Sequence, residues 1–225
     1  MNLISVNVGL PRVVPWKGQI VRTGIFKQAV EGTVKVRRRN LDGDQQADLT
    51  VHGGVAKAVY GYPSEHYAFW RRELPEMELP WSAFGENLTT EGLDEKTLCV
   101  GDQLRVGSAL LMVTQPRLPC YKLAMKFGRD DIIQKFLKSG RSGFYFSVVE
   151  EGELSTGVEI ERVSEDARRV SIADVMALFL GTSRDSELLA RALQVEALPM
   201  SWREDLRERS QDQFLAVRRN VKKLF

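Results

Sequence analysis

The chain has 225 residues, enough for one large domain or a medium domain with a small appendage. At 43% hydrophobic and 28% charged it can bury a proper core. Its 32 basic and 30 acidic residues leave a net charge of +2, which gives no electrostatic ground for a nucleic-acid or membrane partner. The first nine residues lack the basic region and apolar run of a signal peptide, and no stretch reaches the roughly 18 apolar residues of a membrane span. Two cysteines are too few for a disulfide framework. The expectation is a cytoplasmic protein with both thiols reduced.

Up to about Val163 the pattern is one of short strands parted by Gly, Pro and Asn/Asp turns. Strands are expected at Gln19–Phe26, Thr33–Arg38, Lys57–Tyr62, Gln103–Arg105, Ala109–Gln115, Gly143–Glu150 and Gly157–Arg162. Seven strands without regular intervening helices favour a largely antiparallel barrel over a doubly wound sheet. Short helices interrupt it at Ser64–Leu74, from Cys120 to Phe127, and at Asp130–Ser139, where Gly140 is a stop signal. From Ser164 the period becomes helical. Ser171 and Asp174 have capping-box spacing, and Ile172, Val175, Met176, Phe179 and Leu180 share a face. A second helix is expected over Asp185–Leu198, ended by Pro199. Ser201 and Glu204 then offer another capping box, with Trp202, Leu206, Phe214, Val217 and Val221 continuing the amphipathic pattern. The expected architecture is mainly β with α: a barrel over residues 1–163, followed by a small three-helix domain over 164–225.

Several chemistries find no support. His52, His66, Cys99 and Cys120 lack zinc-ligand spacing, and no phosphate loop or dinucleotide fingerprint is present. A pair of Cys120 with His52 or His66 stays open, without a local signature for it. Two constellations stand out. In the first, Lys35-Val36-Arg37 leads towards Gly43, Asp44, Asp48 and His52-Gly53-Gly54. Lys35 and Arg37 share a strand face, which suits either an anionic ligand or a solvated strand edge that blocks aggregation. In the second, Cys120 sits between Pro119 and a helix start, flanked by Arg117 and Lys122. These charges favour the thiolate that a soft metal centre binds. A lone cysteine is more often a small buried apolar residue. Cys99, inside Leu98-Cys99-Val100, fits that description and Cys120 does not.

In this order, several motifs resemble the bacterial YiiM-type branch of the MOSC-domain proteins. They are Gly43-Asp44-x-Gln46-Ala47-Asp48-Leu49-x-x-His52-Gly53-Gly54, Tyr62-Pro63-x-Glu65-His66-Tyr67-x-x-Trp70, Phe84 to Leu93, Gln115-Pro116-Arg117-x-Pro119-Cys120-x-Lys122-Leu123, and Arg141 to Phe146. The helical tail is similar to that branch's C-terminal domain. The resemblance implies a MOSC-type β-barrel that binds molybdenum cofactor in its molybdopterin form, with Cys120 as metal ligand. It also implies similarity to the mitochondrial amidoxime-reducing components, and reduction of N-hydroxylated compounds such as hydroxylaminopurines. Lys35, Arg37, His52, Gly53, Gly54, Asn87, Arg117, Lys122, Ser142 and Gly143 lie in segments expected to face the cofactor, the cations holding its phosphate. His52 is also a candidate proton donor; His52, Asp44 and Asp48 could equally order their loop. Tyr62, Tyr67, Trp70 and Phe144–Phe146 read as core. No flavin or iron–sulfur motif is visible, so electrons would come from a separate flavin-type or iron–sulfur protein. A cofactor carrier or a sulfur-transfer protein is the alternative.

Overall fold

The computed structural model describes residues 1–47 and 53–221, with side chains through Ser210. His52, Asp48 and Leu49 therefore lie outside the described residues, as do the side chains of Phe214, Val217 and Val221. The chain opens with β1 (Asn2–Val8), a hairpin of β2 (Arg12–Trp16) and β3 (Gln19–Thr23), and the short β4 (Gln28–Ala29). β5 (Val34–Arg37) and β6 (Asn40–Leu41) follow. A 3-10 turn (Val55–Lys57) then leads into β7 (Val59–Pro63), α1 (Glu65–Glu73) and β8 (Leu88–Glu91). Next come β9 (Gln103–Val106), β10 (Ala109–Pro116), α2 (Tyr121–Phe127), α3 (Ile132–Ser139), β11 (Phe144–Glu150), β12 (Gly152–Leu154) and β13 (Ile160–Ser164). The tail holds α4 (Ile172–Leu180), α5 (Ser186–Gln194) and α6 (Met200–Val221).

Eight strands form one sheet in the order β13-β9-β10-β11-β7-β8-β1-β4, antiparallel throughout except for the parallel β7–β8 pair. The sheet curls back on itself. On the edge of β1 away from β8, Leu3 N–H donates to Val158 O (3.0 Å), Gly157 N–H to Leu3 O (2.7 Å) and Ile160 N–H to Met1 O (2.7 Å). These bonds join β1 to the chain entering β13, so the ring has few unpaired backbone groups to expose. The expected barrel is present, with strands the sequence reading missed: β1, β2, β4, β6, β8 and β12.

Two cores hold the fold. Leu3, Val6, Leu104, Leu111, Val113 and Phe146 fill the barrel and are continuous with Ile172, Val175, Leu188, Leu198 and Trp202 of the tail. The second core is largely aromatic and lies under α1, α2 and α3. Tyr62, Tyr67, Trp70, Phe84, Phe127 and Phe136 pack there, with Tyr62 and Phe84 stacked at 4.6 Å between centroids. This second core fixes α2, and with it Cys120, against the barrel mouth.

In α4 the buried face runs through Ile172, Val175, Met176 and Leu178, while Leu180, expected on that face, is exposed. α5 ends at Gln194 rather than Leu198. α6 begins at Met200, so Ser201 lies inside the helix and is not its cap. Among the described residues no helix is long and apolar enough to cross a membrane.

Candidate functional site

β10 delivers the chain through Pro116 to Arg117-Leu118-Pro119-Cys120, and α2 starts at once with Cys120 as its N-cap residue in extended conformation. A cavity of about 100 Å³ opens here. Its walls are Thr23–Ile25 and Lys27, Asp44–Ala47, Lys57, Tyr60, Gly85, Asn87, Arg117, Leu118, Cys120, Lys122 and Tyr145. Gly24 is needed where two of these walls meet, because a Cβ there would stand 2.5 Å from Gln45 O.

Arg117 is buried, with its guanidinium 4.8 Å from the centre of the Tyr60 ring. Its Nη1 donates to Phe84 O and, at 3.4 Å, to the Tyr60 hydroxyl. Burial works against its charge, but Tyr60, Tyr145 and Cys120 together hold the guanidinium above its ordinary range. The Tyr60 hydroxyl donates in turn to Ser142 O at 2.8 Å. Burial pushes the phenols of Tyr60 and Tyr145 up, so both keep their protons at neutral pH.

Asn87 organises the opposite wall. Its Oδ1 accepts from Tyr60 N–H at 3.1 Å, and its Nδ2 donates to Asp44 Oδ2 at 2.9 Å and to Asn7 O at 3.3 Å. Asp44 also accepts from Gly9 N–H at 3.0 Å and is ion-paired to Lys27. Burial lowers the Lys27 pKa, with Asp44 opposing. Asp44 is thus fully engaged, as the loop-ordering reading of this residue has it.

Lys122 is different. It is only 8% exposed, lines the cavity, and makes no hydrogen bond or ion pair with any described residue. Lys57 lines the same cavity, and burial lowers its pKa. Among the described residues the cavity's one carboxylate, Asp44, is taken by Lys27, and Arg117 and Lys122 have no carboxylate partner. Buried charges are ordinarily paired, so such a surplus suits an anion.

Asn87, Arg117, Cys120 and Lys122 are brought together. Gly53 and Gly54 lead into the 3-10 turn that carries Lys57. Ser142 and Gly143 lie one layer behind, against Tyr60: a Cβ on Gly143 would stand 2.5 Å from Gly61 O, and its N–H donates to Glu95 Oε1 at 2.8 Å. Lys35 and Arg37 do share one face of β5, but that face is exposed and does not line the cavity. Arg37 pairs with Asp42 at 2.9 Å, while Val34 and Val36 face the core. His66 lines a different cavity with Glu95, 2.8 Å from its Nε2, so it stands apart from Cys120. Lys27 and Tyr60 were not singled out from sequence, and Tyr145, in a stretch read as core, lines the cavity instead. Nothing local marks them, and only the closed barrel brings residues 27, 60 and 145 to one wall.

The group implied by the family resemblance can be tested against these residues. A thiol at the mouth offers a soft metal ligand, and Arg117 and Lys122, unpaired by any carboxylate of the described residues, offer a phosphate site. The cavity is small, so a cofactor of pterin size would occupy its open mouth as well. The residues fit. Among the described residues no cluster of three or more His, Cys, Asp or Glu could hold a metal by itself. Cys120 would accordingly be one ligand of a metal that arrives with others.

Residues 48–161 match the MOSC domain family and residues 170–209 the YiiM-like, 3-alpha helix domain. The chain is 41% identical to YflK of Bacillus subtilis strain 168, over 90% of this chain and 91% of that protein. It is 38% identical to YiiM of Escherichia coli K12, over 83% and 84%. A protein of Gibberella moniliformis named "Reductase" is 31% identical over 88% of this chain but only 35% of its own length. The crystal structure of YiiM from Geobacillus stearothermophilus superposes with a TM-score of 0.77 at 32% identity, covering 93% of this chain and 98% of that one.

Proposed function

The chain belongs to the MOSC domain family, and from that premise we propose that it reduces N-hydroxylated compounds at a molybdopterin-type molybdenum cofactor bound through Cys120. The observation that carries the proposal is the meeting in one cavity of Cys120 with Arg117 and with Lys122, which makes no hydrogen bond or ion pair with any described residue.

Reduction of R–NH–OH to R–NH2 and water takes two electrons and two protons. No side chain here supplies two electrons. When bound, the cofactor supplies the electrons and the acceptor for the leaving oxygen. A separate flavin-type or iron–sulfur protein would recharge it.

The chain's own part is binding, orientation and proton supply. Cys120 Sγ would ligate the metal. Lys122, Lys57 and Arg117 would hold the phosphate, Arg117 with the least freedom because Tyr60 and Phe84 O already fix its plane. The Asn87–Asp44–Lys27 network keeps residues 44–47 in place as the facing wall. Tyr145 Oη, protonated at neutral pH, offers a hydrogen bond to a substrate oxygen or nitrogen at the mouth. Leu118 and Tyr121, exposed on either side of Cys120, provide apolar surface for a planar substrate.

The test is reduction of 6-hydroxylaminopurine by protein made in a cofactor-producing host, with an artificial electron donor and with metal analysis. The parent is expected to carry molybdenum and turn over. Cys120→Ser is expected to lose the metal and at least 100-fold of the activity, the scale of a lost metal-site partner. Bound molybdenum without turnover on any N-hydroxylated compound would favour a cofactor carrier or sulfur-transfer protein instead.

A further inference from the structure

Behind the wall formed by Gly24–Lys27 lies a second, larger cavity of about 350 Å³, within the size range of small-molecule sites. The start of β2, the Phe26–Gln28 segment, the loop Met77–Ala83 and the end of α2 enclose it. Phe26, Met77, Leu79 and Phe127 give it an apolar lining, and Arg12, Lys27 and Lys126 its cations, Arg12 and Lys126 both beside the Phe26 ring.

We propose that this cavity is a binding site for a small acid, an apolar or aromatic body carrying one carboxylate, sulfonate or phosphate, with Lys126 and Arg12 receiving the anionic group.

Lys126 Nζ donates to Ile25 O at 3.0 Å and to Ser82 O. An ammonium has three donors, so one remains. No carboxylate of the described residues is within ion-pair distance of it. The carboxylate whose charge favours the ammonium is Glu86, and it is already engaged by Ser82 N–H, Phe84 N–H and the hydroxyls of Tyr67 and Thr89. Glu86 therefore reaches Lys126 only through its field, which Arg117, Lys27 and Arg12 oppose. Glu78 is exposed at the cavity rim.

Arg12 lies over the Phe26 ring at 3.7 Å from its centre and has no carboxylate partner among the described residues. Stacking holds its plane and leaves the edge N–H groups for an incoming anion. A half-buried ammonium with a spare donor, a stacked guanidinium and an apolar floor together ask for an anion with a hydrophobic body. Binding it would supply the counter-charge that the fold does not.

The probes are naphthalene-2-sulfonate, its neutral counterpart naphthalene-2-sulfonamide, and inorganic sulfate, titrated by calorimetry at pH 6.5. The sulfonate is expected to bind at least about tenfold more tightly than either of the others, the scale of one charge-assisted contact. Arg12→Gln, a change at an exposed side chain, is expected to weaken it about tenfold, and Lys126→Met by more. Affinity is also expected to fall between pH 6.5 and 9 as Lys126 loses its proton; the sulfonate does not titrate in that range. Equal affinity for sulfonate and sulfonamide, or an unchanged affinity in Arg12→Gln, would overturn the proposal. So would a loss seen in Lys122→Gln but not in Arg12→Gln, which would place the anion in the Cys120 cavity.

Discussion

Arg117, Lys27 and Lys126 come from three parts of the chain, and the fold treats the charges of this buried arginine and these two half-buried lysines differently. Arg117 is fixed by an aromatic face and a carbonyl, and Lys27 by Asp44. Lys126 has carbonyls alone, and burial brings its pKa from 10.5 down to about 7. The consequence is a definite pH dependence. Above about pH 7 the folded chain has released this proton, whereas the unfolded chain keeps it to about 10.5. In that window the unfolded state binds more protons, so stability rises with pH. Below pH 7 both states carry the proton and the full penalty stands. The stability of the parent is expected to gain on the order of 3 kcal/mol from this residue between pH 7 and 10. Urea unfolding of parent and Lys126→Met across that range checks it: the variant should show a clearly flatter rise. Identical slopes would mean that Lys126 is not the group responsible.

At the scale of elements, local signals succeeded where they were also locally satisfied. Ser171 and Asp174 form the expected reciprocal box, with Asp174 N–H donating to Ser171 Oγ and Ser171 N–H to Asp174 Oδ2, both at 3.0 Å. Ser201 and Glu204 have the same spacing, yet α6 starts a residue earlier and Ser201 is exposed within it. Ser171→Ala is therefore expected to cost about 1 kcal/mol, and Ser201→Ala close to nothing, by thermal unfolding. A substantial loss in Ser201→Ala would mean that it caps after all. β10 and β11 were legible because each carries a mostly apolar run, residues 109–113 in one and 144–149, broken by Ser147, in the other. β8 was not, because its four residues, Leu88-Thr89-Thr90-Glu91, are too few and too polar to show an apolar pattern, although Thr89 and Thr90 are fully buried. Their partners, β1 on one side and β7 on the other, lie far off in sequence. The site divides the same way. Arg117, Cys120 and Lys122 share one short motif and could be read together. Lys27, Tyr60 and Tyr145 enter it only through barrel closure, and the exposed Lys35 and Arg37 carry a strand-edge pattern that looks the same whether or not a ligand is near.

The whole molecule is held together across the junction between barrel and tail. Val100 N–H donates to Val170 O at 2.9 Å, Ile172 N–H to Leu98 O at 3.0 Å and Ala173 N–H to Glu95 O at 2.8 Å, so the backbone entering α4 extends the barrel's own bonding. The apolar core passes through the same boundary without a break, from Leu98 and Val100 to Val170, Ile172 and Val175, and on to Leu188, Ala192 and Trp202. A chain cut at residue 163 would expose that face and leave the carbonyls of Glu95 and Leu98 without these donors. Burial is worth about 25 cal/mol per Å² of apolar area, and several large side chains are involved, so the loss rivals the whole stability of a domain. The full chain is expected to unfold in one cooperative transition followed equally by fluorescence and circular dichroism. Residues 1–163 alone are expected to show no sharp transition and to bind a hydrophobic dye. If the truncated chain instead unfolded cooperatively at the parent's midpoint, the helices would be an appendage, and the continuity of the core would not be what stabilises the barrel that carries Cys120.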